Sequence, residues 1–146
     1  MLFNVSNHPR YAERTTWSAD QIAEAESRFG QIIDIGFPAV TPKLTDAEMR
    51  AMAREVARDL KGQAAGQPAA AMVAGHYVMT VFLVAELQAA GIDCYIGDSV
   101  RVAEEQVQED GSIAIVHRFQ FAGFRAYPRI EFSDDVDALC ETWGIG

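Results

Sequence analysis

The sequence predicts an α/β fold: a small three-layer domain with a mostly parallel sheet and a C-terminal antiparallel hairpin. Three observations carry this. Three apolar, strand-like runs are each followed by a helical pattern, which calls for parallel strands joined by right-handed crossovers. The run Ala70-Ala-Met-Val-Ala74 ends at Gly75 and a long apolar helical pattern starts at once, the signature of a buried strand feeding a helix N-terminus. Asp110-Gly111 lies between two β-rich stretches and signals a hairpin at one edge of the sheet. A chain of 146 residues fits one domain over 1–146, with an acidic tail over 131–146.

The elements follow in order. Residues 2–6 read as the first strand, running into Asn7-His8-Pro9 and a polar loop over 10–16. Ser18-Ala-Asp-Gln21 is a capping box, with Trp17 and Ile22 placed as its hydrophobic staple. Ile22, Ala25 and Phe29 give the buried stripe of the first helix, which Gly30 stops. Residues 31–35 form the second strand. Phe37-Pro38 and Thr41-Pro42 mark a stiff extended loop, since a residue before proline is pushed out of helical geometry. Thr45-Asp-Ala-Glu48 is a second capping box, and Met49, Met52, Ala53, Val56 and Leu60 recur at helical spacing as far as Lys61-Gly62. The third strand covers 70–74. The third helix, from about 77 to 90, is apolar nearly all round and is expected to be deeply buried. A fourth strand covers 93–96, residues 99–108 alternate weakly, and 112–121 are β-rich. The tail holds a short helical pattern around 134–140.

Composition narrows the function. The net charge of −9 repels duplex nucleic acid, which proteins usually bind through basic surfaces, but leaves room for a small anion held by a local cluster of donors. The N-terminus lacks a signal-peptide pattern, and no apolar run is long enough to span a bilayer, so a cytoplasmic protein is expected. Two distant cysteines, Cys94 and Cys140, read as thiols in a reducing compartment. Neither a dinucleotide-binding nor a P-loop glycine pattern is present, no His/Cys/Asp set has metal-ligand spacing, and no cofactor is expected.

In a parallel sheet the carboxyl ends of the strands share one rim. That rim would gather Ser6, Asn7 and His8 from the first strand, Phe37 after the second, and Gly75, His76 and Thr80 after the third. Gly97, Asp98, Ser99 and Arg101 would follow the fourth. Amide, hydroxyl and imidazole donors would meet a helix N-terminus beside an arginine, a mixture suited to phosphate, ribose and base edges. Each residue has a plainer reading. His8 can serve the turn, His76 can cap the helix, Thr80 can bond back to a carbonyl, and Arg101 can sit on a solvent face. Gly75 either lets a ligand approach the backbone or meets the demands of a tight turn. Phe119, Phe121, Phe124 and Tyr127, interleaved with Arg118, Arg125 and Arg129, fit either a base-stacking platform or a half-buried edge hairpin.

Leu2-Phe-Asn-Val-Ser-Asn7-His8-Pro9, followed by Trp17-Ser18-Ala-Asp-Gln21, resembles the opening of small CRISPR-associated proteins. Gly75-His76-Tyr-Val-Met-Thr80, then Gly91-Ile92-Asp93-Cys94, is similar to the Gly-x-x-x-x-Thr segment of the same group, the CRISPR-associated Rossmann fold (CARF) proteins and small stand-alone ring nucleases. The resemblance spans most of the first hundred residues. It implies a homodimer that binds a cyclic oligoadenylate across its two-fold axis and cleaves it without metal. Residue by residue, Asn7, His8, Gly75, His76 and Thr80 match the group, and Asp98-Ser99-Val100-Arg101 matches loosely. Together with the rim, this makes His76 or His8 the proton-transfer candidates and Ser6, Asn7, Phe37, Gly75, Thr80, Ser99 and Arg101 the expected ligand-binding residues. The chain departs from the group in carrying no lysine on the predicted rim and in the insertion Arg10-Tyr-Ala-Glu-Arg14. Two other function classes stay open: a non-catalytic nucleotide- or metabolite-sensing module, and an interaction protein acting through its acidic tail.

Overall fold

A computed structural model describes residues 1–8 and 17–132. Pro9, the loop over 10–16, the helical pattern around 134–140, Cys140 and Trp143 lie outside the described residues. The elements are β1 (Leu2–Ser6), α1 (Ala19–Phe29), β2 (Ile32–Asp34), α2 (Asp46–Ala64), β3 (Ala70–Ala74), α3 (Tyr77–Ala89), β4 (Asp93–Val107) and β5 (Ile113–Ala126). They build one five-stranded sheet in the order β2-β1-β3-β4-β5. β1 runs parallel to β2 and β3, β3 parallel to β4, and β5 antiparallel to β4. The predicted fold class is the one observed.

Strand periodicity divides the core. Leu2, Ala70 and Met72 face α1 and pack with Trp17 and Ala25. Phe3, Val5, Ala71 and Val73 face the other way and pack with α2 and α3. β1 is buried at every position because helices cover both faces, and the apolar Leu2, Phe3 and Val5 share it with two buried polar residues, Asn4 and Ser6. Trp17 is buried beside Ile22 and Phe29, as the staple requires. Ser18 Oγ accepts from Gln21 N at 3.1 Å, while the Gln21 side chain lies against Gly97. The Thr45–Glu48 box closes in both directions.

α2, α3 and β4 each differ from expectation. α2 runs through Gly62 to Ala64 and is capped by Ala65, which takes the left-handed conformation at φ 51° just before Gly66 at φ 79°. The apolar α3 is buried along Met79, Leu83, Val84 and Leu87, but its first turn emerges from the core and leaves Tyr77 89% exposed.

The largest difference is at β4. The strand does not end at 96 but continues to Val107, pairing with β5 throughout. Beyond the carboxyl edge of the parallel strands this pair is a two-stranded arm. The predicted turn closes it, with Gln108 N donating to Ser112 O at 2.7 Å and Asp110 Oδ1 accepting from Ser112 N at 2.9 Å. These bonds from Ser112 hold the Asp110 carboxyl below the usual range. At the arm's root Asp98 pairs with Gly123 and Ser99 with Phe121, so Ala122 is an extra residue in β5. Gly123, at φ 137°, supplies backbone geometry that a side chain would resist. The bulge resets the alternation, so Phe121 and Phe124 share the α1 face. Phe124 meets Trp17 and Phe29 there, at ring separations of 6.1 and 5.8 Å.

Candidate functional site at the β1–β3 crevice

From β1 the chain moves outward to β2, then crosses back to β3 on the other side of β1. The topological switch point therefore lies between β1 and β3, and ligands of open α/β sheets bind outside the carboxyl ends of strands at such a point. Ser6 pairs with Ala74. The two following turns, Asn7-His8 and Gly75-His76, thus stand side by side.

The first turn is fixed by a buried polar network. Asn4 is fully buried in the middle of β1. Its Nδ2 donates to His8 O at 2.9 Å and to Asp34 Oδ1 at 2.8 Å, and its Oδ1 accepts from Ser6 Oγ at 2.7 Å. Ser6 Oγ in turn accepts from His8 N at 3.2 Å. The Ser6 hydroxyl, expected to face a ligand, is spent inside the protein, with only 2% of the residue exposed. Its role is to shape the turn that presents Asn7 and His8, both of which are exposed. Asn7 Oδ1 accepts from Phe37 N at 3.4 Å, which leaves its amide N–H₂ turned to other partners.

The second turn opens α3. His76 is the N-cap, and its Nδ1 accepts from Met79 N at 3.3 Å. A neutral ring that accepts at Nδ1 carries its proton on Nε2, so the free nitrogen of His76 is a donor rather than a base. Met79 N and Thr80 N bond to His76. The N–H groups of Tyr77 and Val78 have no partner within the helix, and they sit at the positive end of its dipole. Gly75 is explained by a neighbour: a Cβ there would lie 2.5 Å from the Phe37 ring. Phe37 reaches from the loop after β2 to lie against the third junction. Thr80 is 91% buried, the complement of its 9% exposure, and its Oγ1 has no hydrogen-bond partner among the described residues.

Ser99 and Arg101 are not part of this assembly. Met72 pairs with Tyr95, which sets Gly97 level with Ala74. Arg101 lies four residues further along the arm, about 13 Å away at about 3.3 Å per residue. The expectation of an arginine at the rim ends the fourth strand at 96, whereas β4 continues and carries these residues outward. A groove of about 680 Å³ at the arm's root is lined by Asp98, Ser99, Val100, Gly123 and Arg125. Its arginine is already paired, with Arg125 Nε 2.6 Å from Asp98 Oδ2.

The aromatic and arginine series after β4 does not form a stacking platform. Phe121 and Phe124 pack toward α1, Tyr127 Oη donates to Val73 O at 2.7 Å, and only Phe119 stands out, 75% exposed. Arg118 pairs with Glu104 and Arg129 with Glu131. Cys94 is buried, and burial reinforced by the Asp93 charge pushes its thiol up to about 12, so it is no nucleophile at neutral pH. Among the described residues no group of three or more His, Cys, Asp and Glu could hold a metal ion, and no helix is long and apolar enough to cross a membrane.

The profile of the Uncharacterized protein MJ1673 family matches residues 1–125, which take in the whole crevice and nearly all of the arm. The chain belongs to that family. The match stops within β5, so the family's shared region excludes the acidic tail. No curated protein and no solved structure matches the chain.

Proposed function

We propose that the chain binds a small phosphate-bearing nucleotide, in the first place a cyclic oligoadenylate, at the β1–β3 crevice, as a homodimer, and opens the ring without metal. The observation that supports this most is the pairing of Ser6 with Ala74, which sets two exposed donor-bearing turns together at the switch point. The free Tyr77 and Val78 amides and the Asn7 amide would hold a phosphate, with Phe37 offering a ring edge to a base. In the reaction the ribose 2′-oxygen forms a bond to the adjacent phosphorus and the bond to the 5′-oxygen breaks. His8 takes the 2′ proton and His76 Nε2–H gives one to the departing oxygen. Most of the rate would come from holding these atoms in line.

One observation favours a second reading, a sensing module that binds without turnover. Arg101, the cation expected at the crevice, stands on the arm four residues beyond the level of Ala74. Incubating the protein with cyclic tetra- and hexa-adenylate in EDTA separates the readings. Cleavage, lost by roughly a hundredfold or more in His76→Ala, is the expected result. Binding with no product selects the sensing module. If neither ring binds at micromolar concentration nor raises the melting temperature, both readings fail; saturation at a hundred times the dissociation constant would add about 2.7 kcal/mol.

A further inference from the structure

The arm beyond Asp98 is a two-stranded ribbon, and such a ribbon is marginal in water unless something covers a face. Its two faces differ. On one, Arg118 is closed onto Glu104 at 2.6 Å. The other carries Ser99, Arg101, Ala103 and Glu105 from β4, opposite Phe121, Phe119, His117 and Ile115 from β5. On this face Phe119 is 75% and Ile115 65% exposed. Arg101 and Glu105 have no ion-pair partner among the described residues. Phe121 marks where α1's cover ends; the rest of the face is bare.

The order of residues on this bare face is symmetric about one level. Ala103 pairs with His117. Arg101 lies two residues to one side of Ala103 and Glu105 two to the other. Phe119 and Ile115 flank His117 in the same way, and Phe121 and Ile113 continue the series. A two-fold axis running across the arm at the Ala103–His117 level would lay a second arm face to face and antiparallel. Arg101 of each copy would then meet Glu105 of the other, and Phe119 would meet Ile115. Such self-complementarity is what an isologous interface demands. The opposite face lacks it, since the same operation would set Arg118 over Val116.

We infer that the Arg101–Phe119 face of the arm is the surface through which two copies of this chain associate. The occupant is a second copy because the charges match the face's own image: Arg101 and Glu105 stand two residues to either side of Ala103. The arrangement brings the turn at 108–112 of one copy to the root of the other's arm, at the edge that holds the crevice. The inference goes beyond the proposed nucleotide chemistry and does not depend on it, since association is read without ligand.

Light scattering and sedimentation velocity on the full chain test it. The expected species has twice the 16.0 kDa chain mass. Arg101→Glu and Glu105→Arg, each alone, set like charges in contact and should weaken association at least roughly tenfold. The double variant carrying both exchanges should recover it. Phe119→Ser should yield a monomer with unchanged circular dichroism, because the residue lies outside both core clusters. A monomeric parent chain overturns the inference. So does a dimer as strong in either single charge variant as in the parent, or a double variant that stays weak.

Discussion

At the level of single residues, two buried groups carry consequences out of proportion to their size. Asn4 holds three side-chain hydrogen bonds inside the sheet, and its backbone carbonyl accepts from Ile35 N and Gly36 N. Asn4→Ala removes one hydrogen-bond partner each from Ser6 Oγ, Asp34 Oδ1 and His8 O. The unfolding free energy in urea should fall by about 2–3 kcal/mol, and a loss below about 0.5 kcal/mol would contradict the network. Cys94 sets an alkaline limit. In the unfolded chain its thiol ionises near 9.0, in the fold only near about 12, with burial the first cause. The unfolded state thus loses the proton first as pH rises. The contribution is complete below 9.0 and is lost on the way to about 12. Tyr127, raised by burial, adds in the same direction. Denaturant melts between these pH values should show stability falling, less steeply in Cys94→Ala. The sequence makes Gly75 and His76 visible as a junction, yet it conceals why glycine is needed. The Phe37 ring arrives from 38 residues upstream, and a contact over that separation leaves no local pattern. Asn4 is equally hidden, because a polar residue within a buried strand has no local pattern that names its partners, His8 and Asp34.

Among the elements, legibility follows how local the forces are. Both helix starts were readable, since a cap and its staple lie within six residues of one another. Thr45 accepts from Glu48 N at 3.1 Å while Glu48 Oε1 accepts from Thr45 N at 3.4 Å. Thr45→Ala should therefore cost about 1 kcal/mol, measurable by thermal or urea unfolding, with the fold retained. The end of α2 was misplaced because Gly62 stays helical and Ala65 takes the left-handed turn, a choice set by the chain that follows. The length of β4 was missed for a related reason. Outside the sheet both faces of the arm meet solvent, so the apolar–polar alternation that reveals a half-buried strand weakens after Gly97. Asp110-Gly111 was still a sound hairpin signal, because a turn is a local event.

For the whole molecule, the strand order decides where chemistry can occur. Four parallel strands with one reversal create a single crevice, and the paired turns of β1 and β3 occupy it. The expectation that these junctions stand together was legible from the succession of strand–helix units. The expectation that Ser99 and Arg101 join them was not, since it depended on where a strand ends. What remains at the crevice is a set of hydrogen-bonding groups, backbone amides, Asn7 and two imidazoles, in a chain of strong negative charge. A guest would be recognised there by hydrogen-bond geometry more than by long-range attraction.

Tyr127 gives the arm an unexpected independence. Immediately after β5 its N donates to Cys94 O at 2.9 Å and its hydroxyl to Val73 O at 2.7 Å, so the returning chain is moored to the central strands below the ribbon. The segment between Asp98 and Gly123 is thus an appendage whose two ends are already clamped. Beyond the Ser99–Phe121 pair it could be trimmed to a tight loop, lengthened or exchanged, while Phe121, Phe124 and Tyr127 keep their contacts with the layers beneath.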